Sequence, residues 1–370
     1  MKAEVVQEIV GDIRAEFDQL QVLPRLDKLI SALDNQSSSP TPENQVAVKD
    51  SKEELIEEFR KSKFIRYPLY LQLTLDEMAL DGYLPDGYAD QIEAAFEGDE
   101  LTPATVLVKV REIREKAERT SRHTDEFLEA AGFFEIESDQ PTTDEQYEFS
   151  VAIPREAVEN ELDNFGRELV KIDKILGVFS EISTGSRADY KIKSISSSDL
   201  TIVLCAPPAA AFLIVSTLER LTVIYERILN ILKLHKDLKQ AKVPDAMVRD
   251  MEKFIAKTLK QEIQAAAKQL EGKLLQKIEA SRRNELRTEL KNALDQLAAR
   301  FDRGYVFDVR GPDPVANASE GEDATEVKPN TPAWIRKMVA EKRELLRYFK
   351  VDDKPILGLP NPANDDPTGQ

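Results

Sequence analysis

Residues 200–218 read LTIVLCAPPAAAFLIVSTL, nineteen positions without a charge. A run of that length approaches the ~20 apolar residues of a membrane-spanning helix. Its internal chemistry reads otherwise. Pro207-Pro208 stands near the centre, where the rings would break such a helix, and Thr201, Ile202 and Val203 are β-branched. The run therefore predicts a buried strand over Leu200–Ala206 and the buried opening of a helix from Pro208, with membrane insertion as the lesser reading.

Upstream, Tyr190–Ile195 and the turn Ser196-Ser197-Ser198-Asp199 make a β-hairpin with that strand. The turn could offer hydroxyls to an anion, but polar hairpin turns commonly look like this. Tyr147, Phe149, Val151 and Ile153 alternate as in a half-buried strand, stopped by Pro154. A helix over Arg155–Leu176 follows, with Val158, Leu162, Phe165, Leu169, Ile172 and Leu176 on one face, and Gly177 is read as its end. Val178–Ser183 fits a short strand or a last helical turn equally.

Downstream, Leu218, Leu221, Tyr225, Ile228 and Leu232 form a stripe on a helix to about Gln240, and Val243-Pro244-Asp245 marks a turn. A second stripe runs from Val248 to Ile278 and, after the polar break Ser281-Arg282-Arg283-Asn284, continues through Leu286, Leu290, Leu294, Leu297 and Phe301. Such length predicts a helical hairpin, a coiled coil or two helices in series over about 208–302. Tyr305–Val309 is a further strand candidate, completing a βαββαβ-like plan with a long helical insertion. The fold class expected is α+β and helix-dominated: a small, mostly antiparallel sheet with helices, plus the long hairpin or coiled coil.

The flanks read as separate pieces. Residues 1–34 carry an amphipathic stripe (Val5, Ile9, Ile13, Phe17, Leu20), and residues 35–50, rich in Ser, Pro and Asn, read as a linker. Residues 51–136 read as a helical module, entered by a capping box at Ser51 and Glu54 and containing a helix from Pro103 to about residue 131. The core is expected over 147–310, an acidic linker over 311–331, a docking helix over 332–350 and a flexible tail over 351–370. That last helix presents Trp334, Met338, Leu345 and Phe349 as candidate interaction residues.

At 370 residues the chain is long enough for two to three domains at roughly 150 each. The formal charge of −17 opposes adsorption to nucleic acid or anionic membranes. Residues 1–150 hold 16 basic and 34 acidic side chains, whereas 236–303 hold 16 and 11. In that basic stretch Lys253, Lys257, Lys260, Arg282 and Arg283 are weak anion-binding candidates, set against the plainer reading of a solvated helix face. The opening residues resemble neither a signal nor a transit peptide, and a single Cys agrees with a cytoplasmic location.

The chemistry-bearing inventory is thin. Two His and one Cys cannot build a Cys/His zinc site, and no Gly-rich phosphate loop occurs among the 14 Gly. Cys205 reads as a small buried hydrophobe, and His123 and His235 as solvated surface residues. No catalytic residue, cofactor or metal is assigned. The sequence thus favours a non-enzymatic scaffold or regulatory protein whose partners are other proteins or its own copies, engaged through helices. A membrane-active effector exposing 200–218, and an enzyme with a carboxylate-based site, are the alternatives.

Overall fold

The computed structural model describes residues 3–97, 102–138, 147–196, 200–240, 257–258, 261–265, 268, 280–312 and 331–346. The chain forms two compact units, Met1–Gln140 and Pro141–Gln370. It is helix-dominated α+β, with one four-stranded antiparallel sheet among the described residues.

The first unit is helical: α1 (Ala3–Gln19), α2 (Val22–Ser38), α3 (Pro42–Phe59), α4 (Leu69–Glu77), α5 (Pro85–Ala95) and α6 (Pro103–Phe133). The stripe read from sequence is buried: Val5, Ile9, Ile13 and Phe17 of α1, and Leu20 just past its end, all face the core. It meets Leu26, Leu29 and Leu33 of α2, Leu55 and Phe59 of α3, and Tyr88 of α5, whose ring lies edge-on to Phe17 at 6.1 Å. α6, about 46 Å long at 1.5 Å per residue, adds Val106, Leu107, Val110, Ile113 and Ala117.

The linker expected at 35–50 is instead helical, so residues 1–34 are not a detached element. The Ser/Pro/Asn composition encodes a stop and a start in close succession. α2 ends at Ser38, and Thr41 caps α3 by accepting from the Asn44 backbone N–H at 3.2 Å, with Pro42 at the first helical position. Asn44 also donates through its side chain to the Ser39 carbonyl at 2.7 Å, closing the short turn. Ser51, read as a cap, lies buried inside α3.

The second unit runs β1 (Tyr147–Ile153), α7 (Leu162–Thr184), β2 (Lys191–Ser196), β3 (Leu200–Ala206), α8 (Pro208–Gln240), α9 (Ala280–Asp302), β4 (Val306–Arg310) and α10 (Pro332–Glu344). The sheet order is β2-β3-β1-β4, antiparallel throughout, the interleaved arrangement of two split βαβ units. β1 and β3 are the inner strands. Phe149 sits between Leu204 and Val309, and Val151 between Ile202 and Phe307. An aromatic chain runs from Phe149 to Phe307 (6.1 Å), on to Phe301 (6.1 Å) and to Tyr225 (5.4 Å).

Some local expectations change. β1 is buried on both faces rather than half-buried, because Glu148 and Ser150, on the face away from the aromatic chain, are also enclosed. Arg155–Val158 is a 3-10 turn, and Glu159 and Asn160 take positive φ, so α7 starts only at Leu162. α7 passes through Gly177 to Thr184. A mid-helix Gly costs about 1 kcal/mol, which burial of Val178, Phe179 and Ile182 outweighs. Gly185, at φ +87, is the true end, its N–H donating to the Glu181 carbonyl at 2.9 Å. The polar break at 281–284 lies within α9.

The uncharged run divides as β3 and the start of α8. Pro208–Ile231 is long and apolar enough to cross a membrane by length and composition, yet 67% of its most apolar window is buried inside the protein. α8 and α9 meet where Tyr225 donates to the Ala298 carbonyl at 2.7 Å. The expected hairpin turn near 243–245 lies outside the described residues, as do most of 251–279, residues 313–330 of the expected linker 311–331, and the tail at 351–370.

Candidate interaction site: the seat of the C-terminal helix

Thr331 and Pro332 open α10 as the cap and first helical position, the Thr331 hydroxyl accepting from the Trp334 backbone N–H at 3.3 Å. The helix lies against α8 and β4 of its own unit. Its buried stripe is Ile335 and Val339, and Leu346, just past its end, is buried as well. Trp334, half-buried beside that stripe, places its indole 4.9 Å from the ring of Phe212 on α8.

Charge fixes the position that the apolar stripe leaves free to slide. Asp308 on β4 is almost fully enclosed at 1% exposure. Arg343 grips it with both prongs, Nε to Oδ1 at 2.9 Å and Nη2 to Oδ2 at 3.2 Å. The Val309 backbone N–H also donates to Oδ1 at 2.9 Å. One position back, Lys342 pairs with Glu219 of α8. Aromatic and Arg anchors around a short apolar stripe, with a polar rim, are the composition of a recognition interface.

The sequence reading placed the docking face one residue off. Of Trp334, Met338, Leu345 and Phe349, the first two flank the interface, Leu345 is 55% exposed, and Phe349 lies outside the described residues. Weighting the large aromatic positions drew the stripe through 334 and 338, when the smaller Ile335 and Val339 point inward. The helix also ends at Glu344 rather than 350. Asp308 and Arg343 were missed, although an Asp within the apolar YVFDV strand is itself a signal that a cation must come to it.

Only three of the five anion-binding candidates fall among the described residues. Lys253 and Lys260 lie outside the described residues, and Lys257 is exposed. Arg282 is already paired, with Glu181 at 2.8 Å, with Glu289 at 3.4 Å and with Glu285. Its partner Glu181, also held by Arg187, has its carboxyl pulled below the usual carboxylate range, the Arg282 contact being the main cause. Arg283 on the same helix is half-exposed and interacts with neighbours. Cys205 is exposed, not buried: its register partner is Glu148, so it projects on the face away from the aromatic core. His123 is exposed and 3.0 Å from Glu126, and the side chain of His235 lies outside the described residues. Among the described residues no group of three or more His, Cys, Asp or Glu is placed to hold a metal.

No known protein family, curated protein or solved structure gives a significant match to this chain.

Proposed function

We propose that this chain is a non-enzymatic interaction protein of the helix-in-groove kind, whose α8–β4 groove is occupied by its own α10 until a competing helix displaces it. The observation that carries the reading is the capture of the buried Asp308 carboxylate by Arg343 of a short, separately tethered helix. Thirteen residues are too few for a stable isolated helix, so the order of α10 depends on its seat. A competitor needs the same signature: two apolar residues four apart, with a basic residue one turn further on. The native helix is part of the same chain, an intramolecular advantage that a partner in trans must overcome.

The test uses a labelled peptide of residues 331–346. A chain ending at residue 312, shown by circular dichroism to be folded, binds it, and the intact chain binds at least tenfold more weakly because the seat is filled. A folded truncated chain that fails to bind the peptide contradicts the reading.

A further inference from the structure

The first unit contains a cavity of about 510 Å³ that the groove plays no part in. Val6, Val10 and Ile13 of α1, Leu80 after α4, and Phe127 of α6 supply an apolar wall. A volume between about 300 and 1,000 Å³ with an apolar lining and a few convergent polar groups is the general form of a small-molecule site.

The polar lining comes from Tyr83 and from one face of α6, where Thr120, His123 and Thr124 follow the cations Lys116 and Arg119. Lys116 and Arg119 of α6 line this cavity and also a second, more polar cleft beside α5, so they stand where the two spaces adjoin. The first unit is acidic and pairs Arg14, Arg25, Arg60, Arg111 and Arg114 with carboxylates. Lys116 and Arg119 make no such pair among the described residues. Neutral groups hold Lys116 instead: it donates to the Gln91 side-chain oxygen at 3.2 Å and lies 4.2 Å from the centre of the Tyr83 ring. Burial, and secondarily the charge of Arg119, lower its pKa below the ordinary lysine value. An anion placed between the two cations would relieve both effects. Glu112 and Glu115 line only the polar cleft.

We propose that this cavity binds an amphipathic anion, its hydrocarbon tail against the α1–α6 wall and its single negatively charged head between Lys116 and Arg119. A neutral amphiphile would leave the cations uncompensated, and a short anion would leave the apolar wall open. Both halves of the ligand are therefore required.

Isothermal titration of the intact chain tests this with decanoate below its micelle concentration, alongside decanol, acetate and decyltrimethylammonium. Decanoate binds with one site per chain, and each of the other three binds at least tenfold more weakly. The exposed or half-exposed pair change Lys116→Gln/Arg119→Gln lowers decanoate affinity tenfold or more while leaving the melting transition in place. Val6→Trp, which fills the cavity from a half-exposed position, abolishes binding. Absence of decanoate binding, decanol or decyltrimethylammonium binding as strong as decanoate, or indifference of decanoate to the pair change overturns the proposal.

Discussion

Two carboxylates in this chain titrate in opposite directions. Glu181 sits below the ordinary value of 4.5 because Arg282 and Arg187 favour its charged form. Its stabilising contribution is therefore present above 4.5 and lost as pH falls through the depressed folded value. Glu181→Gln should cost about 0.5–1 kcal/mol near neutrality, a difference that urea melts at falling pH should show shrinking. Glu16 sits above 4.5 because burial disfavours its charge, although its Oε1 accepts from the Lys63 backbone N–H at 2.6 Å. An amide oxygen can accept the same bond. Glu16→Gln should be at least as stable as the parent at pH 7, and its advantage should fade as the parent glutamate takes up its proton. A large loss at pH 7 would show that the charge itself is needed there.

Buried pairs at the same scale behave differently. Glu168 of α7 and Arg300 of α9 meet at 2.6 Å, with side-chain exposures of 11% and 3%. Removing one partner strands the other charge, so Glu168→Ala should cost about 3–5 kcal/mol, whereas the double change Glu168→Leu/Arg300→Met should recover most of that. Arg343→Ala should likewise cost about 3 kcal/mol by removing the cation that pairs with Asp308, and adding Asp308→Asn should restore part of it because the charge that needs the cation is gone. If Asp308→Asn adds to the damage, the ion pair is not what holds the helix. A thermal melt of the parent, Arg343→Ala, Asp308→Asn and the double change decides.

At the scale of elements, periodicity served where an element is long or half-covered and failed where an end or a face turns on one residue. The β2–β3 pairing follows from two strand-like runs about a polar turn, and the central place of β3 and the stripe of α1 follow from apolar content and spacing. Gly177 and Ser51 misled because a terminator or cap is read locally, while burial of the surrounding helix overrules it. The face of α10 was misjudged because the size of the Trp334 ring draws the stripe away from Ile335, whereas the burial of Ile335 and Val339 and the pairing of Arg343 with Asp308 show which side points inward. The stretch 35–50 was misread because Ser, Pro and Asn serve a linker and a helix boundary alike. Since its backbone is helical, limited proteolysis should spare Asn44–Asp50 under conditions that cut less ordered chain. Early cleavage there would argue for the linker after all.

At the scale of the whole molecule, two hydrophobic cores lie in two successive lengths of chain, one all-helical and one built on a sheet. Each core closes on itself, so a chain of residues 1–138 should fold alone, with a cooperative melt and strong helical dichroism. The candidate sites divide accordingly: the groove belongs to the sheet unit and the cavity to the helical one. The groove was legible only in outline, as a docking helix over 332–350, and the cavity not at all, because the pair Asp308 and Arg343 and the cavity residues Val10 and Lys116 bring together side chains far apart in the chain.

The central claim is that α10 is seated on α8 and β4 of its own chain, and Trp334 reports on it directly as the chain's one Trp. The emission spectrum of the intact chain, recorded beside that of Arg343→Ala, is the most direct measurement. The seated helix predicts an emission maximum to the blue of water-exposed indole, independent of protein concentration, and a red shift in Arg343→Ala while far-ultraviolet dichroism of the remaining helices persists. An intact chain whose emission already matches free indole in water, unchanged by Arg343→Ala, would contradict the account.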